Sequence, residues 1–302
     1  MSSRRTRSVL AAASALTVLA LGVTACSGGD GQAATVAGGK IKVVASTDIW
    51  GSVLSAVGGD KVQVTSIIHD PAADPHSYET TAEDGLAVQD AKVLLANGGG
   101  YDDFFGKLSD QAPDAKKLVA YDIAATGNEN EHVWYSLPGV EKVADQVAAQ
   151  LGQVEPASQQ VFTDNATAFK TKVDALLKTV TRIGADHPGR KVIATEPVAF
   201  YLLDAAKAVD ATPKAFSEAV EQETDIPVAA VDQVKQLIAG KQVDAVVNNA
   251  QTTTTITDQI IANAKSAGLP VVDVTETFPA GATDYIGWMT KEVDALSGAL
   301  SS

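Results

Sequence analysis

One cysteine occurs in 302 residues, so an intrachain disulfide is excluded. Histidine is nearly as scarce, at four residues. Imidazole is the commonest protein ligand for transition metals, so the possible metal sites are few and easily enumerated. Basic residues are outnumbered, 23 Lys and Arg against 37 Asp and Glu, for a formal charge of −14. Nucleic-acid binding needs clustered Lys and Arg to meet phosphates, and this balance argues against it. Neither a His-Glu-x-x-His nor a His-x-His cluster is present, which removes the familiar signatures of zinc hydrolases. Aromatic residues make up 5% of the chain.

The one marked apolar run lies at the start. Arg4, Arg5 and Arg7 precede a stretch of Ala, Leu and Val from Val9 to Val23. It is too short for a comfortable membrane span and reads as a signal segment, residues 1–25. It ends in Val23-Thr24-Ala25-Cys26, which resembles the lipobox of bacterial lipoproteins. Lipidation at Cys26 would account for the lone thiol. Residues 26–39, rich in Gly, then read as a flexible tether spanning on the order of 20 Å. Removing the first 25 residues takes away three arginines and no acid, leaving 277 residues at −17, enough for two domains. An extracytoplasmic body anchored to the cell membrane through Cys26 is expected.

From residue 40 the pattern alternates. Short β-branched runs at 40–46, 62–68, 93–97 and 118–123 predict four strands, with a helix after the first and a short one before the third. Thr81-Ala82-Glu83-Asp84 resembles a capping box opening a short helix. The second half repeats the plan, with strands at 191–195, 243–248 and 270–274. Helices are predicted around 198–209, from near Val231, over 257–267 and over 285–300. Alternation of this kind implies parallel sheets flanked by helices. Between the halves, residues 156–183 contain no glycine and no internal proline. Val161, Ala168, Val173, Leu176, Leu177 and Val180 recur at helical spacing, with Pro156 suited to the first turn and Gly184 to the end. A helix of about 28 residues, about 40 Å long, is predicted. The fold class is thus α/β: two lobes, each a parallel sheet flanked by helices, joined by one long rigid helix. The expected boundaries are 40–155 for the N-terminal lobe, 156–184 for the linker helix and 185–302 for the C-terminal lobe.

Ligands of open α/β sheets sit beyond the carboxyl ends of the strands. Four metal-competent residues follow predicted strands or lie in loops: His76, His132, Glu196 and Glu276. Two from each half could enclose one ion. Glu196 could instead be a helix N-terminal acid favoured by the macrodipole, and Glu276 a solvated loop acid. His69 and His187 read as a strand-end residue and an exposed helix-terminal residue. Asn248-Asn249-Ala250-Gln251 could supply hydrogen bonds that orient ligand carboxylates.

Four stretches carry a resemblance: Asp74-Pro75-His76-Ser77-Tyr78-Glu79, Glu131-His132-Val133-Trp134-Tyr135, Ala194-Thr195-Glu196-Pro197 and Val274-Thr275-Glu276-Thr277. Over residues 40–300 the chain resembles the solute-binding lipoproteins of bacterial zinc and manganese ABC importers, whose two lobes are joined by one long helix. The resemblance implies His76, His132, Glu196 and Glu276 as ligands of Zn²⁺ or Mn²⁺, an ABC permease as partner, a monomer, and no catalysis. Glu276 stands where many manganese-type members have aspartate, with Asp273 or Asp284 as substitutes. The short segment 127–131 lacks the histidines common in zinc-type members. A metal-dependent hydrolase and a receptor for a metal chelate such as a siderophore are the alternatives.

Overall fold

The computed structural model describes residues 39–73, 75–222 and 224–301. The expected signal segment, Cys26 and the tether through residue 38 lie outside them. No described helix is long and apolar enough to cross a membrane.

The N-terminal half builds β1 (Ile41–Thr47), α1 (Asp48–Gly58), β2 (Val62–Ile68), α2 (Ala82–Gln89), β3 (Val93–Ala96), α3 (Asp103–Ser109), β4 (Lys116–Val119), α4 (Ala120–Ala124) and α5 (Leu137–Val154). Its strands form one parallel sheet in the order β2-β1-β3-β4. The long helix α6 (Gln159–Asp186) follows. The C-terminal half builds β5 (Lys191–Ala194), α7 (Phe200–Ala205), β6 (Val209–Asp210), α8 (Lys214–Glu221), α9 (Val228–Ala239), β7 (Ala245–Asn249), α10 (Thr255–Ala267), β8 (Val271–Val274) and α11 (Tyr285–Leu300). Its parallel sheet has the order β6-β5-β7-β8.

Side chains alternate across each strand with period two, and the packing follows that alternation. Val43, Ala45, Val93 and Leu95 face a central core, while Val44 and Leu94 face an outer cluster beneath α2 and α3. Likewise Val192, Ala194, Ala245 and Val247 join the central core, and Ile193 and Val246 join an outer cluster with α8, α9 and α10. The central core is one continuous cluster that runs through both lobes by way of α5, α6, α7 and α11. Swinging the lobes widely apart would have to break it.

The buried stripe of α6 is Phe162, Ala166, Phe169, Val173, Leu176, Val180 and Ile183. Alternating steps of four and three give the 3.5-residue repeat that keeps one face on a neighbouring helix. The neighbour is chiefly α5, which offers Val140, Val143, Ala144, Val147 and Leu151. Each large apolar side chain so buried contributes roughly 1.5–3 kcal/mol. Val173→Asp, at a fully buried position, would strand a charge there and undo the stripe.

Several sequence expectations need adjustment. The stripe does not run through Val161, which is 41% exposed, or Ala168, also exposed; the phenylalanines one residue on take that role. Pro156 opens a separate 3₁₀ turn, Pro156–Ser158, before α6. Gly184 does not end the helix, which continues to Asp186; a side chain there would meet the Ala206 carbonyl oxygen at 2.5 Å. The fourth strand is shifted to Lys116–Val119 because Ala120 begins a helix. The helix expected over 198–209 is cut to α7, since Val209 pairs with Lys191 as edge strand β6. The capping box forms as expected, with the Asp84 amide 3.2 Å from Thr81 Oγ1 and the Thr81 amide donating to Asp84 Oδ2 at 2.7 Å. No expectation covered α3, α5 or α8.

Candidate metal-binding cleft

The carboxyl ends of both sheets border one cleft of about 620 Å³. His76 reaches it from the loop after β2, His132 from the segment before the 3₁₀ turn Val133–Tyr135, Glu196 directly after β5, and Glu276 two residues after β8. Thus all four predicted site residues line a single cavity. Two more carboxylates join them, Glu131 and Glu221, and no Lys or Arg is among the described lining residues.

His132 is buried, and its surroundings fix its tautomer. The Asn130 side-chain oxygen accepts the His132 main-chain N–H at 2.9 Å and lies 3.2 Å from His132 Nδ1. An amide oxygen can only accept, so the bond to Nδ1 makes that nitrogen the donor and leaves the lone pair on Nε2. Nε2 lies 4.0 Å from Glu221 Oε1. Burial, with a smaller contribution from the neighbouring His76, lowers the His132 pKa to about 3, so the ring is neutral and able to ligate at physiological pH. Aromatic rings pack against both imidazoles: Tyr101 stands edge-on to His76 at 5.0 Å and to His132 at 6.1 Å, and Trp134 flanks His132 at 5.1 Å.

The second half presents its carboxylates through Asn249, the last residue of β7. Its amide nitrogen donates to Glu196 Oε2 and to Glu276 Oε1, each at 2.7 Å. Two buried acids are thereby aimed together by one neutral donor. Glu196 occupies the residue before the 3₁₀ turn Pro197–Ala199, yet its side chain does not cap that turn. Glu196 thus stands at a helical N-terminus, as one reading expected, with its carboxylate turned to Asn249. The Glu276 loop is pinned along its backbone. Gln251 Oε1 accepts the amides of Glu276 and Thr277, Tyr135 donates its hydroxyl to the Thr275 carbonyl at 2.9 Å, and Asp48 accepts the Phe278 amide at 3.2 Å.

The remaining alternatives fall elsewhere. Asp273 is exposed and accepts from Asn248, while Asp284 accepts from the Gly287 amide at the start of α11; neither lines the cleft. His69 faces the carbonyls of Ser66 and Ile67, and His187 follows the end of α6.

Glu131 and Glu221 were missed. Glu131 adjoins His132 in the sequence, and adjacency alone does not imply a role. Glu221 ends a helix for which no sequence signal was found. Burial and the nearby carboxylates of Glu131, Glu276 and Glu218 raise its pKa to about 7. Crowded acids of this kind resist ionising together until a cation joins them.

A family model described as "Zinc-uptake complex component A periplasmic" matches residues 43–299. The manganese-binding lipoprotein MntA of Halalkalibacterium halodurans is 25% identical over 293 residues, covering 94% of this chain and 96% of the relative. The iron ABC transporter substrate-binding lipoprotein MtsA of Streptococcus pyogenes is 26% identical over 216 residues, 66% of this chain and 67% of the relative. Among solved structures, the periplasmic zinc-binding protein TroA from Treponema pallidum superposes with a TM-score of 0.72 at 18% identity, covering 87% of this chain and 99% of that one. That likeness bears on the fold. The chain belongs to the periplasmic zinc-uptake component A family of metal-importer binding proteins, and it is a transport protein, not an enzyme.

Proposed function

We propose that this chain is an extracytoplasmic lipoprotein that captures one bare divalent transition-metal ion, Zn²⁺ or Mn²⁺, and passes it to the permease of an ABC importer. The observation that carries the reading is the lining of the cleft: four carboxylates and two imidazoles, with no basic side chain among the described residues to neutralise them. Such a field favours a small divalent cation and opposes an anionic chelate, which would call for Arg or an aromatic platform. In this reading His76 and His132 supply nitrogen, Glu196 and Glu276 supply oxygen, and Cys26 carries the anchor after residues 1–25 are removed. The lobes are taken as 40–155 and 185–302, with 156–184 between them.

The chain's own residues prepare this binding. Asn130 directs the His132 lone pair into the cleft, and Asn249 keeps the two acids converging. The continuous core and the hydrogen bonds that cross between lobes restrict closure to small local movements. The mixed nitrogen and oxygen shell suits zinc by affinity order and tolerates manganese, so ligand chemistry alone does not rank them in the cell. Relatives named for manganese and for iron illustrate the same breadth.

The test is metal analysis of protein purified without chelator, followed by competitive Zn²⁺ and Mn²⁺ titration. One ion per chain is expected. Protein that takes up neither ion from a chelator-buffered solution would refute the assignment.

A further inference from the structure

The cleft is divided into two unlike halves. The ligand atoms of His76, Glu131 and His132 all lie within 4.8 Å of one another, and all three residues belong to the N-terminal half. Glu196 and Glu276 share the Asn249 amide instead, and among the described residues neither joins a ligand group of comparable tightness. Exposure is graded within the cleft: His76 is exposed and Glu131 partly so, whereas His132, Glu196 and Glu276 are buried.

The backbone of Glu131 is fixed from within the first half, while the neighbouring Asn130 is tied to Pro197 and Tyr201 of the second. The Glu131 main-chain carbonyl accepts the Asn97 side-chain amide at 2.9 Å and the Val133 amide at 2.7 Å. Asn97 is itself fixed in the core: its side-chain oxygen accepts from Trp50 Nε1 at 3.0 Å, and its backbone amide donates to Asp102 Oδ2 at 2.6 Å. Gly99, at φ +71°, lets that turn pass beneath Glu131; a side chain there would meet the Glu131 Cβ at 3.1 Å and the Tyr121 ring at 2.8 Å. The backbone that presents the Glu131 carboxylate is held by this network, and that carboxylate lies close to His76 and to the oriented His132.

We infer that Glu131 is a metal ligand, and that His76, Glu131 and His132 form an entry site that takes the divalent cation before the buried Glu196 and Glu276 receive it. The inference rests on the proposed function. Two imidazoles and one carboxylate can hold a divalent cation while leaving its coordination shell incomplete. The converging acids of the second half then supply what is missing, and the ion moves deeper without leaving its imidazole partners.

The experiment uses the double variant Glu196→Gln/Glu276→Gln of the full folded chain, titrated with Zn²⁺ against a competing chelator and with Co²⁺ by visible absorption. It is expected to bind one ion more weakly than wild type. Adding Glu131→Gln should lower that residual affinity at least about tenfold and change the Co²⁺ spectrum, while adding Glu131→Asp should fall between. Residual binding that does not respond to Glu131→Gln, or a double variant that binds no ion, overturns the entry site alone if wild type still binds. Wild-type protein that binds no divalent ion overturns the proposed function and the entry site together. Thermal melts of each variant confirm that a folded chain is being titrated.

Discussion

The side-chain amide of Gln251 donates a 2.8 Å hydrogen bond to the main-chain carbonyl of Pro71, joining the loop after β7 to the loop that carries His76. The same amide group donates to Thr277 Oγ1 at 2.6 Å and accepts two backbone N–H groups from the Glu276 loop. One side chain thus ties a histidine-bearing loop to a carboxylate-bearing loop across the cleft. Gln251→Ala would leave two backbone donors without their acceptor, a loss of about 1–3 kcal/mol if they stay dry. The expected outcome is a metal dissociation rate raised roughly tenfold, read by stopped-flow mixing of loaded protein with excess chelator. An unchanged rate would show that the latch does not restrain the ion.

Asn249→Ala removes the donor shared by Glu196 and Glu276. The two acids would then face one another with nothing between them, and their orientation would be lost. Zn²⁺ affinity should fall about 10–100-fold, as for other residues that orient metal ligands. Calorimetric titration measures the loss, and a lower melting temperature of the metal-free variant should accompany it.

Glu221 gives the metal-free protein a pH dependence of known sign. Its unfolded carboxyl gives up a proton near pH 4.5, while the folded one holds it until about 7. The folded state therefore binds more protons between these values, and stability falls as pH rises through that window. Glu221→Gln should change stability little near pH 4.5 and stabilise the metal-free protein increasingly up to pH 8, by at most about 3 kcal/mol at 1.36 kcal/mol per unit. Urea unfolding in the presence of chelator, at several pH values, reads the difference directly. The His132 pKa is depressed, so its own contribution is lost on acidification below 6.5, but it is common to both proteins.

Regular structure was legible wherever a single local cause decided it. Val62–Ile68 and Tyr285–Leu300 have the expected bounds because β-branching and an unbroken apolar period coincide there with clear ends. Gly268, at φ +75°, stops α10 as a glycine in the left-handed region should. What escaped was settled by distant partners. Gly184 looked like a stop but serves the close approach of Ala206, and Val209 became a strand only because Lys191 lies beside it. That His76, His132, Glu196 and Glu276 line one cleft was legible because histidine is scarce and strand ends are where such sheets bind ligands. Glu131 and Glu221 were not, because acids are common in this chain and only the fold brings these two to the imidazoles.

The most direct test is anomalous diffraction from crystals of the protein loaded with Zn²⁺, recorded on both sides of the zinc absorption edge. A single strong peak is predicted within coordination distance of His132 Nε2 and His76, with Glu196 and Glu276 completing the shell at about 2.0–2.2 Å. A peak elsewhere on the molecule, or a cleft in which the two imidazoles and the two buried acids hold no common ion, would contradict the account.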